Sequence, residues 1–525
     1  MDADYRQHYG FNAIKRSLAH FALGKTSRLI TSLLVFVILA RELPLDEYGV
    51  YISFQAVIQI VGIITAIGIQ KALFRYLPEL RATGNHIAAY RLLLGGMLLR
   101  TVIVSLLVVA ILPLVPSVGR MFNFEDWAWL FRWYLLVGYV RLTSLWLSQC
   151  LESLLWQKES QYSLAIGGAV TAVMIVLFAA FGSLNLKLVV IAELSGEVTA
   201  LALLIIGWVT KWRADKQRSV GDAGWWRANR SRAIRYGAWG FLLSQSSLLY
   251  GSAPNRLVAA HFLPVAEVAL LGVADHLLNL MRRFLPTRML MSMIRPLAIA
   301  RFSAQGDFRA VAEITEFVYR INVILLVLPI VVLAVVGPPL MDALTDGKYG
   351  AAAYLLMGFM VVLIAEGTRV LVDLMVQALE KNPIFFWTNI LQSASLLIAV
   401  PLLPTLGVWS FVIANLTGTV IANSVVILRL RKQGYAYNLK VSRFAWILAH
   451  AALASGLGWL ALAHWHSYIG ATLIIVGTYC LAMLVKPPLT DREKEIVLAL
   501  MRGQRGRRSK RATPTPMVEA GTADR

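Results

Sequence analysis

VIAELSGEVTA at Val190–Ala200 and VIANLTGTVIA at Val412–Ala422 are nearly the same line of sequence, 222 residues apart. Two further pairs keep that register. ARELPLDE at Ala40–Glu47 and AHFLPVAE at Ala260–Glu267 share A-x-x-L-P-x-x-E at an offset of 220, and Lys158 in LWQKES precedes Lys381 in ALEKNP by 223. Landmarks written twice at one spacing point to an internal duplication. The copies differ in charge, because the first carries Glu193 and Glu197 where the second has Asn415 and Thr419. Both keep small residues, Ser195–Gly196 and Thr417–Gly418, which suit close helix contact.

The 525 residues are 58% hydrophobic and the mean hydropathy is +0.65, too little polar sequence to cover several soluble domains. Apolar runs of about 18 to 22 residues recur along the whole chain, the length a helix needs to cross about 30 Å of hydrocarbon. They predict an all-α polytopic membrane protein with fourteen spans, near 21–40, 48–69, 91–114, 127–150, 161–181, 186–208, 236–262, 265–284, 318–336, 351–376, 384–401, 408–428, 445–463 and 468–485. The polar head with Arg6, Lys15 and Arg16 leads into a full-length span without a small-residue cleavage site, so the first span is expected to stay. Cys150 and Cys480 both fall inside spans and indicate neither a disulfide framework nor a metal site.

The duplication period holds six spans, an even number, so both copies enter the membrane in the same sense and are related by an axis along the membrane normal. The expected layout is an N-tail at 1–20, an N-lobe of spans 1–6 at 21–210, a basic linker at 211–235, a C-lobe of spans 7–12 at 236–430, two added spans at 445–485 and a basic tail at 486–525. About four-fifths of the 50 lysines and arginines fall in the tails and alternate loops, against Arg41, Arg120, Arg132, Lys187 and Lys348 in the other loops. That asymmetry places both termini in the cytoplasm of a multi-pass protein. The formal charge of +21 is thus directed at lipid headgroups and predicts no nucleic-acid partner. Trp225 and Trp226 in the linker read as interfacial anchors. The tail begins as an amphipathic helix, DREKEIVLALMRG, and then turns Arg-, Thr- and Pro-rich, a composition that does not fold on its own.

No phosphate-cradling G-x-x-x-x-G-K-[ST] loop and no H-E-x-x-H spacing occurs, so neither cofactor nor metal is expected. The loops on the less basic side reach only about a dozen residues, too short for a catalytic domain. These features argue against ATP-driven pumping and against periplasmic polymerase or ligase chemistry, and no enzyme activity is expected.

FVILARELPLDEYGVY at Phe36–Tyr51, GIQKALFRYLPE at Gly68–Glu79 and VQALEKNPIFFWTNILQSASLLIAVPLLPTLGVWSFVIA at Val376–Ala414 resemble the polysaccharide-transporter group of the multidrug/oligosaccharidyl-lipid/polysaccharide exporter superfamily, the O-antigen and exopolysaccharide repeat-unit flippases. The resemblance extends in span count and topology over most of the chain. It implies a V-shaped pair of six-helix lobes around a cavity that opens alternately to each side of the bacterial inner membrane. The implied cargo is a polyprenyl-diphosphate-linked oligosaccharide, with spans 13 and 14 helping to hold its tail. Two positions depart from the family: Asn255 precedes Arg256 where an Asp-Arg pair is common, leaving Arg256 without its local counter-ion, and Glu380 replaces a glycine.

Charges within spans cost on the order of 3 kcal/mol each at the bilayer centre and therefore avoid lipid. Among the charges that the spans hold are the cations Lys25, Arg28, Arg100, Arg141, Arg256 and Arg369 and the mid-span acids Glu193, Glu197, Asp275, Glu366 and Asp373. Two roles stay open for them, mutual neutralisation between helices and work on the cargo. For the second role, guanidinium forks match phosphate oxygens, which nominates Lys25, Arg28, Arg141, Arg256 and Arg369 as the diphosphate-binding set. Glu193 and Glu197 share a helix face, and two carboxylates so close in a poor dielectric resist joint ionisation, a pattern that can load and release H+ or Na+. Asp275, beside His276, is the third ion-coupling candidate. Glu366 and Asp373, flanking Arg369 at spacings of three and four, are expected to form structural ion pairs. The expected function is flipping of lipid-linked glycan by cation-coupled alternating access, with membrane lipids and other polysaccharide-assembly proteins as partners. The rivals are a cation-coupled multidrug exporter of the same fold and a non-transporting scaffold of an assembly complex.

Overall fold

The computed structural model describes residues 11–65, 72–73, 76–77, 80, 85–154, 156–216, 224–245, 250–282, 285, 287, 308–379, 382–435 and 441–485, and the regular elements among them are helices. The first half runs α1 (Phe11–Glu42), α2 (Leu45–Ile64), α3 (His86–Ile111), α4 (Val115–Met121), α5 (Ala128–Ser153), α6 (Gln157–Ala180) and α7 (Leu186–Lys216). The second runs α8 (Trp225–Gln245), α9 (Ser252–Phe262), α10 (Val265–Arg282), α11 (Phe308–Thr345), α12 (Ala352–Ala378), α13 (Asn382–Ser393), α14 (Ser395–Leu406) and α15 (Trp409–Lys432). The pair α16 (Val441–Trp465) and α17 (Tyr468–Val485) packs on α11.

The chain is an all-α, multi-pass membrane protein. Among the described residues, 11 helices are long and apolar enough to cross a bilayer. The other three of the fourteen expected spans are the most polar ones. α5 is continuous but carries Arg132 and Arg141, α10 is short and carries Asp275, and the expected span at 236–262 is broken.

Local chemistry explains the breaks. Gly251, between α8 and α9, sits at φ 110°, a conformation that side chains with a Cβ resist, and Pro254 occupies the first turn of α9. α11 kinks at Val336 (φ −121°, ψ 16°), just before Gly337-Pro338-Pro339, where prolines remove donors from the helical ladder. α2 starts directly after Pro44 with Asp46 and Glu47 in its first turn, and Asn85 caps α3 by accepting from Ala88 N at 3.1 Å. The basic linker expected at 211–235 is partly helical, since α7 runs to Lys216 and α8 begins at Trp225.

Four helix pairings of the first half recur in the second: α6 with α7 and α14 with α15, α5 with α7 and α12 with α15, α2 with α5 and α10 with α12, α1 with α6 and α9 with α14. The glycines of the duplicated line act alike within this scheme. A Cβ on Gly196 would lie 1.9 Å from Thr171 Oγ1 and 2.6 Å from Gly167 O on α6, and one on Gly418 would lie 2.4 Å from Ser395 Cβ on α14. Both permit backbones to approach where a larger residue would not. Between the halves, α2 packs on α9 and α10, and α1 touches α11. The largest apolar core gathers residues from both halves, among them Phe36, Tyr48, Phe54, Phe131, Leu271, Leu356 and Phe411.

Candidate functional site: a charged cavity between the halves

Behind the α2–α10 contact lies a cavity of about 590 Å³. α1 contributes Ser32, Phe36 and Leu39, and α2 contributes Tyr48, Tyr51, Gln55 and Gln59. The first half adds Arg141 from α5 and Glu193 and Glu197 from α7. The second half adds Ser252 and Arg256 from α9 and His276, Asn279 and Arg282 from α10. Polar side chains at this depth of an apolar chain are retained only with partners, and each wall supplies them.

On the first wall Arg141 bridges the two glutamates of the duplicated line. Its Nη2 is 3.1 Å from Glu193 Oε1 and its Nε is 2.7 Å from Glu197 Oε1. One helical turn separates the two carboxylates, so one guanidinium spans both. Tyr51 OH donates to Glu193 Oε1 at 2.6 Å, and Arg141 Nη1 lies 3.4 Å from Tyr134 OH. Glu193 Oε2 is buried and receives no hydrogen bond among the described residues, which leaves one lone-pair-rich oxygen for a proton or a cation.

The second wall carries a buried ion pair, Arg256 with Asp275. Ser252 also donates to Asp275 Oδ2, and Asn279 Nδ2 does so from 3.2 Å. The expectation that Arg256 lacks a counter-ion is therefore corrected: Asp275 supplies it from α10, where the local position holds Asn255. Asp275 takes one fork of Arg256. The Nε and Nη1 of that guanidinium are buried and have no acceptor among the described residues, so donors remain for another anion. His276, next to Asp275, stacks on Phe36 with centroids 4.7 Å apart.

Arg282 extends this wall. Its Nη2 is 3.0 Å from Glu366 Oε1 on α12, an oxygen that also accepts from Tyr250 OH at 3.0 Å. Tyr250 in turn meets Thr419 Oγ1 at 3.0 Å, and Gln392 Nε2 donates to the same hydroxyl at 3.1 Å. Thr419 is the residue that stands where the first copy has Glu197. In the second half that position bears no charge of its own and joins a hydrogen-bond chain that ends on Glu366.

The remaining expected site residues lie elsewhere. Glu366 pairs across to Arg282, whereas Arg369 points to α13, donating to Thr388 Oγ1 at 3.0 Å and Asn389 Oδ1 at 2.6 Å, with the charge of Asp373 acting on it. Arg369 is thus not among the residues lining the cavity. Arg100 is buried against Thr65 O at the end of α2. Lys25 is exposed and Arg28 half-buried at the start of α1. They precede Ser32 by about two turns and one turn, on the helix face that lines the cavity further along.

Sequence reasoning missed Arg282, Tyr51, Asn279 and Ser252. Arg282 falls at the end of the expected span at 265–284, beside Arg283, and is not singled out there among the span charges. The tyrosine, asparagine and serine carry no charge to mark them in an apolar run.

The cavity is closed at the end of the bundle that bears Arg41, Lys187 and Lys348. Arg41 Nε donates to Leu344 O at 2.9 Å and its Nη2 to Ala343 O at 2.5 Å, while Lys348 Nζ returns from the second half to Leu43 O at 3.1 Å. Asn123 Nδ2 donates to Ala260 O at 2.9 Å, and the His261 ring meets Met121 O at 2.6 Å.

The backbone arrangement has solved counterparts. A structure of the lipid II flippase MurJ in an inward closed conformation matches with a TM-score of 0.67 at 10% identity, over 91% of this chain and 99% of that one. An inward-facing multidrug resistance MATE family transporter of the MOP superfamily matches with a TM-score of 0.55 at 13% identity, over 77% and 94%. A MOP superfamily transporter from Pyrococcus furiosus, described by the reverse polarity of its binding pocket, matches with a TM-score of 0.51 at 12% identity, over 80% and 95%. No curated protein sequence matches the chain. The fold is the one that these solved structures share. Residues 14–288, more than half of the chain and all of the cavity's lining, match the model of the polysaccharide biosynthesis protein family, and the chain belongs to that family.

Proposed function

We propose that the protein flips polyprenyl-diphosphate-linked oligosaccharide across the bacterial inner membrane by alternating access, coupled to a cation. The observation that carries this is Arg256. It is a buried guanidinium on the cavity wall whose acid partner leaves Nε and Nη1 without acceptors among the described residues. A diphosphate crossing a water-poor region needs forked donors of this kind. Arg141 and Arg282 line the same cavity, and cargo entering between them and Arg256 can exchange phosphate oxygens for carboxylate ones. Lys25 and Arg28, at the cytoplasmic end of α1, attract the headgroup before it reaches Ser32. Arg369 supports α13 from a distance.

Coupling belongs to the Arg141–Glu193–Glu197 cluster. When a proton or Na+ occupies the glutamates, Arg141 is released toward the anionic cargo, and when cargo leaves, the ion pairs reform. Asp275 plays the same part for Arg256. The recurring helix pairings support two six-span lobes, with α16 and α17 added, both termini in the cytoplasm and the closed end facing outward. Other polysaccharide-assembly proteins are the expected partners.

The test is mass spectrometry of membrane lipids from cells depleted of the protein, with a leaflet-accessibility probe. Polyprenyl-diphosphate oligosaccharide should accumulate on the inner leaflet, and its mass names the glycan. An unchanged lipid pool overturns the proposal, and a gain in drug sensitivity alongside it would put multidrug export in its place.

A further inference from the structure

A second cavity, of about 860 Å³, lies apart from the charged one, between α3 and α8. Its lining is apolar along most of its length, and small residues carve it: Gly95 and Gly96 on α3, Gly237 and Ala238 on α8. Leu99 and Phe241 close its deep end, and Arg91, Trp226 and Arg227 stand at the other. α3 and α8 both start at the strongly basic side of the bundle. From Arg91 to Leu99 the groove therefore descends about 12 Å into the membrane, and from Arg227 to Phe241 about 21 Å along α8.

Such a gradient, two arginines at headgroup depth above a slot of glycine, alanine and leucine, is complementary to one kind of molecule. It fits an amphiphile with an anionic phosphate head and an apolar chain. We infer that this groove binds one anionic phospholipid of the surrounding bilayer, its phosphate held by Arg91 and Arg227 and an acyl chain laid over Gly95 toward Leu99. Bulk lipid contact would not need the charge pair. Trp226, 46% exposed beside Arg227, caps the head at the interface.

The position matters for the rest of the molecule. α8 ends at Gln245, whose Nε2 donates to Ile63 O of α2 at 3.0 Å, and Tyr250 and Ser252, which follow it closely in sequence, belong to the charged-cavity network. A lipid wedged against α8 sets the spacing of α8 from α3 and, through Gln245, its seat on α2.

Gly95 provides a clean probe, since a Cβ built on it meets nothing within 4 Å. Gly95→Leu places an apolar side chain in the slot from a Cβ that has open space around it. Delipidated protein is titrated with phosphatidylglycerol or phosphatidylcholine and bound lipid is counted by native mass spectrometry. One phosphatidylglycerol should be retained in preference to phosphatidylcholine. G95L should abolish that single retained species, and Arg91→Gln with Arg227→Gln should weaken it about thirtyfold, the effect of two interfacial cations. Both arginines are exposed, so the double variant keeps its fold, which the melting temperature without lipid verifies. Equal retention of the two lipids, or undiminished phosphatidylglycerol binding by both variants, overturns the inference. Displacement of phosphatidylglycerol by polyprenyl diphosphate at equal concentration would also overturn it, assigning the groove to the cargo's tail. No outcome depends on transport.

Discussion

A single guanidinium decides the electrostatics of the first cavity wall. Arg141 holds Glu193 and Glu197, and its removal leaves two carboxylates one turn apart without a cation. Arg141→Gln is expected to cost about 3 kcal/mol of stability, the scale for breaking a largely buried pair from one side, read as a fall in melting temperature in detergent. The triple variant with Glu193→Gln and Glu197→Gln should recover most of that loss, because the stranded charges are gone. The Glu193→Gln/Glu197→Gln pair alone tests coupling. Flipping in vesicles should lose its dependence on pH or Na+, and an unchanged dependence removes these glutamates from the mechanism. On the opposite wall Arg256→Lys keeps a charge for Asp275 but forfeits the fork, so transport should fall by about tenfold or more while the melting temperature changes little. A transport rate equal to that of the parent protein would show that a point charge suffices there. The sequence displayed Arg141, Arg256 and both glutamates openly, since charges in apolar runs announce themselves. Their pairing was hidden, because partners such as Arg256 and Asp275 sit on different helices.

The helices carry the duplication, and their contacts show why the repeated line is conserved in shape but not in charge. Gly196 and Gly418 both sit where α7 and α15 press on α6 and α14. The two sites are not equally tight. A Cβ on Gly196 would meet the backbone oxygen of Gly167 as well as Thr171, whereas at Gly418 the nearest atoms belong to the Ser395 side chain and Gln392 O is 3.4 Å away. Gly196→Ala should therefore destabilise by about 2 kcal/mol and Gly418→Ala by less, as overpacking against backbone yields less than overpacking against a side chain. Thermal unfolding of the two variants checks the order, and a larger loss for Gly418→Ala would contradict it. Span existence was legible from apolar run length, but helix breaks were not. The run at 236–262 is one expected span although Gly251 breaks it, because hydropathy is blind to a change in φ.

The whole molecule is closed at one end by side chains of one half donating to backbone carbonyls of the other. Arg41 reaches Ala343 and Leu344, and Lys348 reaches Leu43. Any cycle that opens this end must break these bonds, each worth about 1 kcal/mol net. Arg41→Ala with Lys348→Ala removes about 3 kcal/mol and should shift the population toward the open end by about a hundredfold, seen as a longer distance between spin labels at Glu42 and Asp346. An unaltered distance distribution would show that the α2–α10 packing alone closes the end. At this scale the sequence by itself determined the membrane class, the order of the helices and the duplication, because each depends on local composition and spacing along the chain. It also marked which residues bear charge within the bilayer. Only the tertiary structure decided that Arg369 belongs to α13 and Arg282 to the cavity, that Asp275 answers Arg256, and that one end is shut. Those outcomes depend on the rotation and approach of helices far apart in the chain. Ion pairs and hydrogen bonds act through space over a few ångströms, and hydropathy along the sequence does not encode which faces meet.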